Sequence, residues 1–204
     1  LIASSSGTDM PGSLESVLPQ GSLNILKREF ELGRGPVFPE SFETVLLSAV
    51  RTMKPEQIRE FPFISEGLEN RIKRAASRSG TLDELVDSIK TKRYTLTRIQ
   101  RTLFNFLIGM RGREFMDFNE YGGPQYVRVL GFNRKGREML SRMKKICTLP
   151  VIVKTSYFKK TCNPLLKRML ELEAAATDIY VLAYGNPDFR TGAQEFTNSV
   201  VIAD

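Results

Sequence analysis

The 204-residue chain contains no histidine, no tryptophan and only two cysteines. Without histidine, no Ser-His-Asp triad, Cys-His pair or histidine acid–base site can lie within it. A histidine-containing zinc site is excluded on the same ground, and two thiols are too few for an all-cysteine one. Cys147 and Cys162 form no Cys-x-x-Cys arrangement and read as reduced core thiols of a cytoplasmic protein. No basic segment followed by an apolar run marks a signal peptide. No apolar stretch approaches the roughly 20 residues that span a bilayer, so no membrane partner is expected. No initiator Met precedes Leu1, and the sequence reads as a fragment or a trimmed chain. Scattered carboxylates make no convincing pair for acid–base work, and no internal repeat is visible.

Cations are plentiful but unevenly spread. Thirty Lys and Arg oppose 23 Asp and Glu, a formal charge of +7. Residues 66–168 carry +14 and residues 128–168 alone +11, while residues 1–65, 114–127 and 169–204 are net negative at −2, −3 and −5. Like charges packed together repel, so this concentration points to a polyanionic partner, and nucleic acid is the usual one.

With 41% hydrophobic and 26% charged residues, the composition is that of a globular chain with a sizeable core. Ser, Gly and Pro dominate residues 3–24, which read as a loop with a turn near Leu14. Phe42, Val45, Leu46, Ala49 and Val50 recur at helical spacing, and Pro55 opens a short helix. Leu68, Ile72, Ala75 and Ala76 mark a helix that stops near Gly80. Thr81 and Glu84 form a capping box before Leu82, Leu85, Val86 and Ile89. A third helix follows with Leu96, Ile99, Leu103, Phe106, Leu107 and Met110 on one face. Strands are expected at 125–130 and 149–153, with one more at 200–202. Residues 131–136 read as a turn, Met139 to Ile146 as a helix, and Asn163-Pro164 as a helix start. The expected fold is α+β and mostly α: a winged-helix-like helix-turn-helix core followed by a small strand and helix extension. Residues 1–40 would be a linker or interdomain segment, 41–113 the helical region and 114–204 the extension.

Three basic groups could meet phosphate. Arg98, Arg101 and Asn105 fall on one helix face, with Lys90, Lys92 and Arg93 just before them, and residues 90–113 hold no carboxylate to pair with them. Arg71, Arg74 and Arg78 make a second stripe with Lys73 beside it, partly answered by Glu66 and Glu69. Arg134, Lys135 and Arg137 open a basic run that continues through Arg142, Lys144 and Lys145. Lys159 and Lys160 beside Tyr157 and Phe158 could suit unstacked RNA bases or could end a strand. The run Ser4-Ser5-Ser6-Gly7-Thr8 lacks phosphate-loop spacing and reads as a linker.

The block Glu66-Gly67-Leu68-Glu69-Asn70-Arg71-Ile72 is followed by Lys90-Thr91-Lys92-Arg93-Tyr94-Thr95-Leu96-Thr97-Arg98-Ile99-Gln100-Arg101. With Tyr126-Val127-Arg128-Val129-Leu130-Gly131-Phe132, it resembles the C-terminal half of the bacterial tRNA(Met) cytidine acetate ligases, a nucleotidyltransferase-like family. The resemblance implies a parent enzyme that activates acetate with ATP to acetyl-adenylate and acetylates N4 of the wobble cytidine of elongator tRNA(Met). It further implies that a His-x-Gly-His nucleotidyltransferase domain, with its ATP and magnesium, lies N-terminal to this chain as a partner domain. This chain would then be the tRNA-binding part, inactive alone and holding no cofactor or metal. The stretch Ile2-Ala3-Ser4-Ser5-Ser6-Gly7-Thr8-Asp9 is the nearest match to the family's Ile-x-Ser-x-Thr-x-Ile-Arg-like phosphate-contacting run, with Asp9 where an Arg would stand. Two rival readings are a winged-helix-like DNA-binding regulator without enzymatic activity and a structural domain whose basic face packs on an acidic neighbour.

Overall fold

Apolar residues at three- and four-residue spacing draw the first half of the chain together. The computed structural model describes residues 14–65, 67–154, 161–197 and 199–203. Along them run α1 (Gln20–Glu31), α2 (Glu43–Thr52), α3 (Pro55–Arg59), α4 (Leu68–Ala76), α5 (Leu82–Ile89), α6 (Leu96–Ile108) and α7 (Gly112–Glu120). Then come β1 (Val127–Arg128), β2 (Gly131–Phe132), α8 (Arg134–Ile146), β3 (Val151–Ile152), α9 (Pro164–Val181), α10 (Gln194–Thr197) and β4 (Val201–Ile202). The architecture is α+β and mostly helical.

One core forms where α2, α4, α5 and α6 converge. Leu46, Val50, Ile58, Ile72, Leu85, Ile89 and Leu103 are at most 1% exposed, and fully burying one such side chain is worth about 1.5–3 kcal/mol. Side chains from neighbouring helices also close the helix ends. Thr81 Oγ1 accepts from the Glu84 amide at 3.2 Å, while the Glu84 carboxylate accepts from Gly80 N at 2.7 Å, so the expected capping box is present. Glu43 of α2 accepts from Leu82 N at 2.7 Å in the same first turn. At the opposite ends, Arg51 of α2 donates to Ala76 O and Ser79 O just past α4. Lys73 of α4 returns the arrangement, donating to Val50 O and Arg51 O at the end of α2. Each cation meets the last carbonyls of the other helix, where the dipole is negative.

The second half is thinner. Ile152, Leu166 and Leu170 make a small cluster with Tyr126 against it. Strand β1 pairs in parallel with β3, and β2 in parallel with β4. Parallel neighbours need a crossover, which α8 supplies between β1 and β3. α6 packs on α9 as well as on α2 and α5, joining the two halves.

The three consecutive helices α4, α5 and α6 appear as expected, but the winged-helix detail is not supported. A wing is an antiparallel hairpin, and the described strands pair in parallel. Three helices, α1, α7 and the four-residue α10, escape the sequence reading. α1 occupies part of a stretch read as loop from its Ser, Gly and Pro content, and it buries only Leu23. α7 begins at Gly112, whose amide donates to Glu60 O at 2.7 Å, a contact between segments distant in sequence. Helix α8 begins at Arg134, inside the expected turn, because the Asn133 side chain accepts from Gly136 N at 2.9 Å and caps it.

Candidate nucleic-acid interface

The stripe on α4 lies beside the C-terminal end of α5. Arg71, Arg74, Ala75, Arg78 and Ser88 line an open groove of about 300 Å³. Arg71 is half-buried and tethered, with its guanidinium donating to Ser88 O at 3.1 Å and Lys90 O at 3.3 Å. Those bonds fix α4 to the end of α5. Arg74 and Arg78 are exposed, and no described carboxylate lies within ion-pair distance of either. Glu69, expected to answer this stripe, does not. It is buried and held by Arg59 at 2.6 Å. The hydrogen bond from the Arg59 guanidinium keeps its carboxyl below the usual range despite burial. Lys73 also leaves the stripe, since its ammonium closes α2.

The turn after α5 holds Lys92 and Arg93 outward on a closed frame. Thr91 N donates to Tyr94 O at 3.1 Å, and Tyr94 N donates to Thr91 Oγ1 at 3.0 Å. Tyr94 is buried, and its hydroxyl donates to Ser65 O at 3.0 Å. Both cations are exposed, with the Arg93 guanidinium 6.0 Å from the Tyr94 ring centre.

Helix α6 departs most from expectation. Arg98, Arg101 and Asn105 were assigned one solvent face, yet only Arg101 is exposed. Asn105 is buried at 7% exposure, and Arg98 is half-buried. Arg98 donates to Phe63 O at 3.1 Å and lies 5.0 Å from the Tyr94 ring centre, so it braces the turn before α4. The reason is tertiary: α6 is packed by α2, α5 and α9 together. Its buried arc therefore widens to include Thr102 and Asn105.

On α8, Arg134, Lys135 and Arg137 are all exposed, as are Arg142, Lys144 and Lys145. Residues 2–9 and 157–160, with Glu66, lie outside the described residues. Among the depressions that the sequence reading misses is one lined by Glu60, Arg111, Arg113, Glu114 and Asp117. Arg111 there lies 4.3 Å from the Phe61 ring centre and pairs with Glu60 at 3.1 Å. Three carboxylates against two arginines make it a poor seat for a polyanion, and no local motif announced it. Glu114 is also held by Arg168 of α9; burial opposes its ionisation, but the Arg168 contact and the Arg111 amide outweigh it and hold its carboxyl below the usual range. No helix among the described residues is long and apolar enough to cross a membrane.

A family model described as HIGH nucleotidyl transferase matches residues 3–195. The chain belongs to that family. The tRNA(Met) cytidine acetate ligase of Acetivibrio thermocellus is 50% identical over 98% of this chain and 48% of its own length. That of Halothermothrix orenii is 38% identical over 93% and 46%. The crystal structure of apo Thermotoga maritima TmcAL matches with a TM-score of 0.85 at 33% identity, covering 91% of this chain and 45% of that one. The crystal structure of Thermotoga maritima TmcAL bound with alpha-thio ATP gives 0.87 at 32% identity, over 93% and 48%. The chain spans about half the length of the curated relatives it matches.

These matches correct two expectations. A tRNA-holding C-terminal half with the nucleotidyltransferase domain absent is overturned, because the HIGH nucleotidyl transferase model runs over residues 3–195 of this chain. ATP, with its magnesium, can no longer be assigned to a missing domain, and a separate N-terminal domain as partner loses its support. The missing histidine was a reading of one short signature, whereas the family pattern is distributed along nearly the whole chain.

Proposed function

We propose that this chain serves a tRNA(Met) cytidine acetate ligase, takes ATP as a substrate of the family's chemistry and presents a basic surface to tRNA. One observation carries the reading. The chain matches the HIGH nucleotidyl transferase family over residues 3–195 and carries exposed cations with no described carboxylate in ion-pair range at Arg74, Arg78, Lys90, Lys92 and Arg101. Cations left unpaired on a folded surface are available to phosphates and release counterions when they meet them. The tethered Arg71 sets the position of this surface, and the Thr91–Tyr94 frame holds Lys92 and Arg93 in place.

The groove on α4 suits a nucleic-acid backbone better than a free nucleotide. It offers guanidinium groups but no aromatic or large apolar wall for a base. Since the chain has no histidine, its own contribution within these residues is charge neutralisation and positioning rather than imidazole proton transfer. Arg98 and Asn105 keep structural places in this reading, and the RNA surface is formed by the exposed cations around them.

Equilibrium binding of tRNA(Met) and of a matched DNA duplex, each titrated against salt, tests the surface. Binding should favour tRNA and fall linearly in log–log form. Arg74→Ala with Arg78→Ala and Arg101→Ala should reduce the slope by roughly 0.7–0.9 per lost phosphate contact. An unchanged slope in that triple variant would sink the surface, and a preference for duplex DNA would favour a regulator. Addition of ATP should raise the Tm of the chain in a concentration-dependent way; no shift at millimolar ATP would count against nucleotide binding here.

A further inference from the structure

Helix α8 is a crossover helix with no fully buried residue; only Gly136, Leu140 and Met143 are half-buried. Crossover helices ordinarily cover the sheet they connect, but none of the thirteen residues of α8 is buried. Met139 and Ile146 stand 62% and 80% exposed on its apolar side. Its main described packing is against β2, which pairs over two residues with β4. The helix therefore depends heavily on its own local interactions, and an isolated helix shorter than about 12–15 residues is marginal in water.

Its charges make the matter worse. Six cations stand against a single carboxylate, Glu138. Arg134, Lys135 and Arg137 crowd the first turn, which holds no acidic residue, so three positive charges face the positive end of the helix dipole. Arg134 with Arg137 and Arg142 with Lys145 are like-charged neighbours at i, i+3. At helical spacing all six cations fall on one half of the cylinder, and Met139, Leu140, Met143 and Ile146 on the other. One local device holds the start, the Asn133 cap on Gly136 N.

We propose that α8 is an RNA-docking helix whose helical state is completed by the RNA, resting on the reading of the chain as a tRNA-binding protein. A phosphodiester backbone laid along the cationic half removes the repulsion, supplies the negative charge that the first turn lacks and ties down a helix that no core holds. The ordering cost is then met on binding, which makes affinity at this surface depend on helix formation. Charge complementarity selects the occupant: α8 sets six exposed cations against one carboxylate. An anionic membrane would also meet the cations, but the apolar half has no aromatic residue to enter the headgroup layer.

Amide hydrogen exchange of the whole chain, read over residues 134–146 with and without tRNA(Met) at low salt, tests this. Exchange should be fast in the free chain and slow by roughly tenfold or more with tRNA, while α4 to α6 change little. Arg142→Gln with Lys144→Gln and Lys145→Gln should abolish that slowing and lower the salt slope without unfolding the core. Equal protection of α8 in free and tRNA-bound chain overturns the inference while leaving the tRNA reading intact; no tRNA binding at low salt defeats the reading itself. Protection by phosphatidylserine vesicles but not by bound tRNA would also overturn it and assign the helix to a membrane.

Discussion

Helices α5 and α8 begin alike and end up in opposite circumstances. Each starts on a polar cap, Thr81 for one and Asn133 for the other. α5 then places Asp83 and Glu84 in its first turn and buries Leu82, Leu85, Val86 and Ile89, so dipole, cap and core agree. α8 places Arg134, Lys135 and Arg137 there and has no fully buried residue. A helix in which every local choice agrees with the fold is held by the protein. One in which they conflict needs something from outside.

Core truncation should separate the two most sharply. Leu85→Ala should remove about 2–5 kcal/mol from the stability measured by chemical denaturation. Met139→Ala should stay within roughly 0.5 kcal/mol in the same measurement; a large loss there would show that α8 is packed after all. The caps give a smaller contrast. Thr81→Ala should cost about 1 kcal/mol of global stability, whereas Asn133→Ala should lower the circular dichroism helix signal with little movement of the denaturation midpoint. Lys135→Glu should split two readouts, gaining about 0.3–1 kcal/mol of helix stability from the dipole while weakening tRNA binding. Both readouts moving together would break the comparison.

Acid should act on the core side first. Arg59 holds Glu69 and Arg168 holds Glu114, so both carboxyls titrate lower in the folded chain than in the unfolded one. Their contribution is present above the ordinary carboxylate range and is lost as pH falls through it and below. Thermal melts from pH 6 downward should show stability falling over that window. Glu69→Gln should flatten part of the fall, and an unflattened curve would remove Glu69 from the account.

Much of the fold can be read where one helix carries its own signal. The stripes of α4, α5 and α6, the Thr81–Glu84 box and the start of α9 at Asn163-Pro164 all follow from local spacing. What escapes depends on partners far along the chain. Arg98 is drawn inward by Phe63 O and the Tyr94 ring, and Asn105 is buried on a helix packed by α2, α5 and α9, none of which local periodicity shows. β2 is recognisable only by its pairing with β4, some seventy residues on. Of the candidate site, Lys92 and Arg101 are legible as charge with no carboxylate near in sequence, whereas Arg74 and Arg78 read as partly paired and are not. That Arg71 and Lys73 spend their cations on carbonyls is not legible, because the acceptors lie on other helices. The absent histidine suggested chemistry elsewhere, and the family match over residues 3–195 corrected that.

The crossed closures of Arg51 and Lys73 have a consequence for how this chain is taken apart. Each guanidinium or ammonium guards the end of the helix from which the other one comes. Neither end can fray without releasing its neighbour, so a protease probing the loops after Thr52 and Ala76 should find both open or both shut. The two helices therefore share a single exit from the native state.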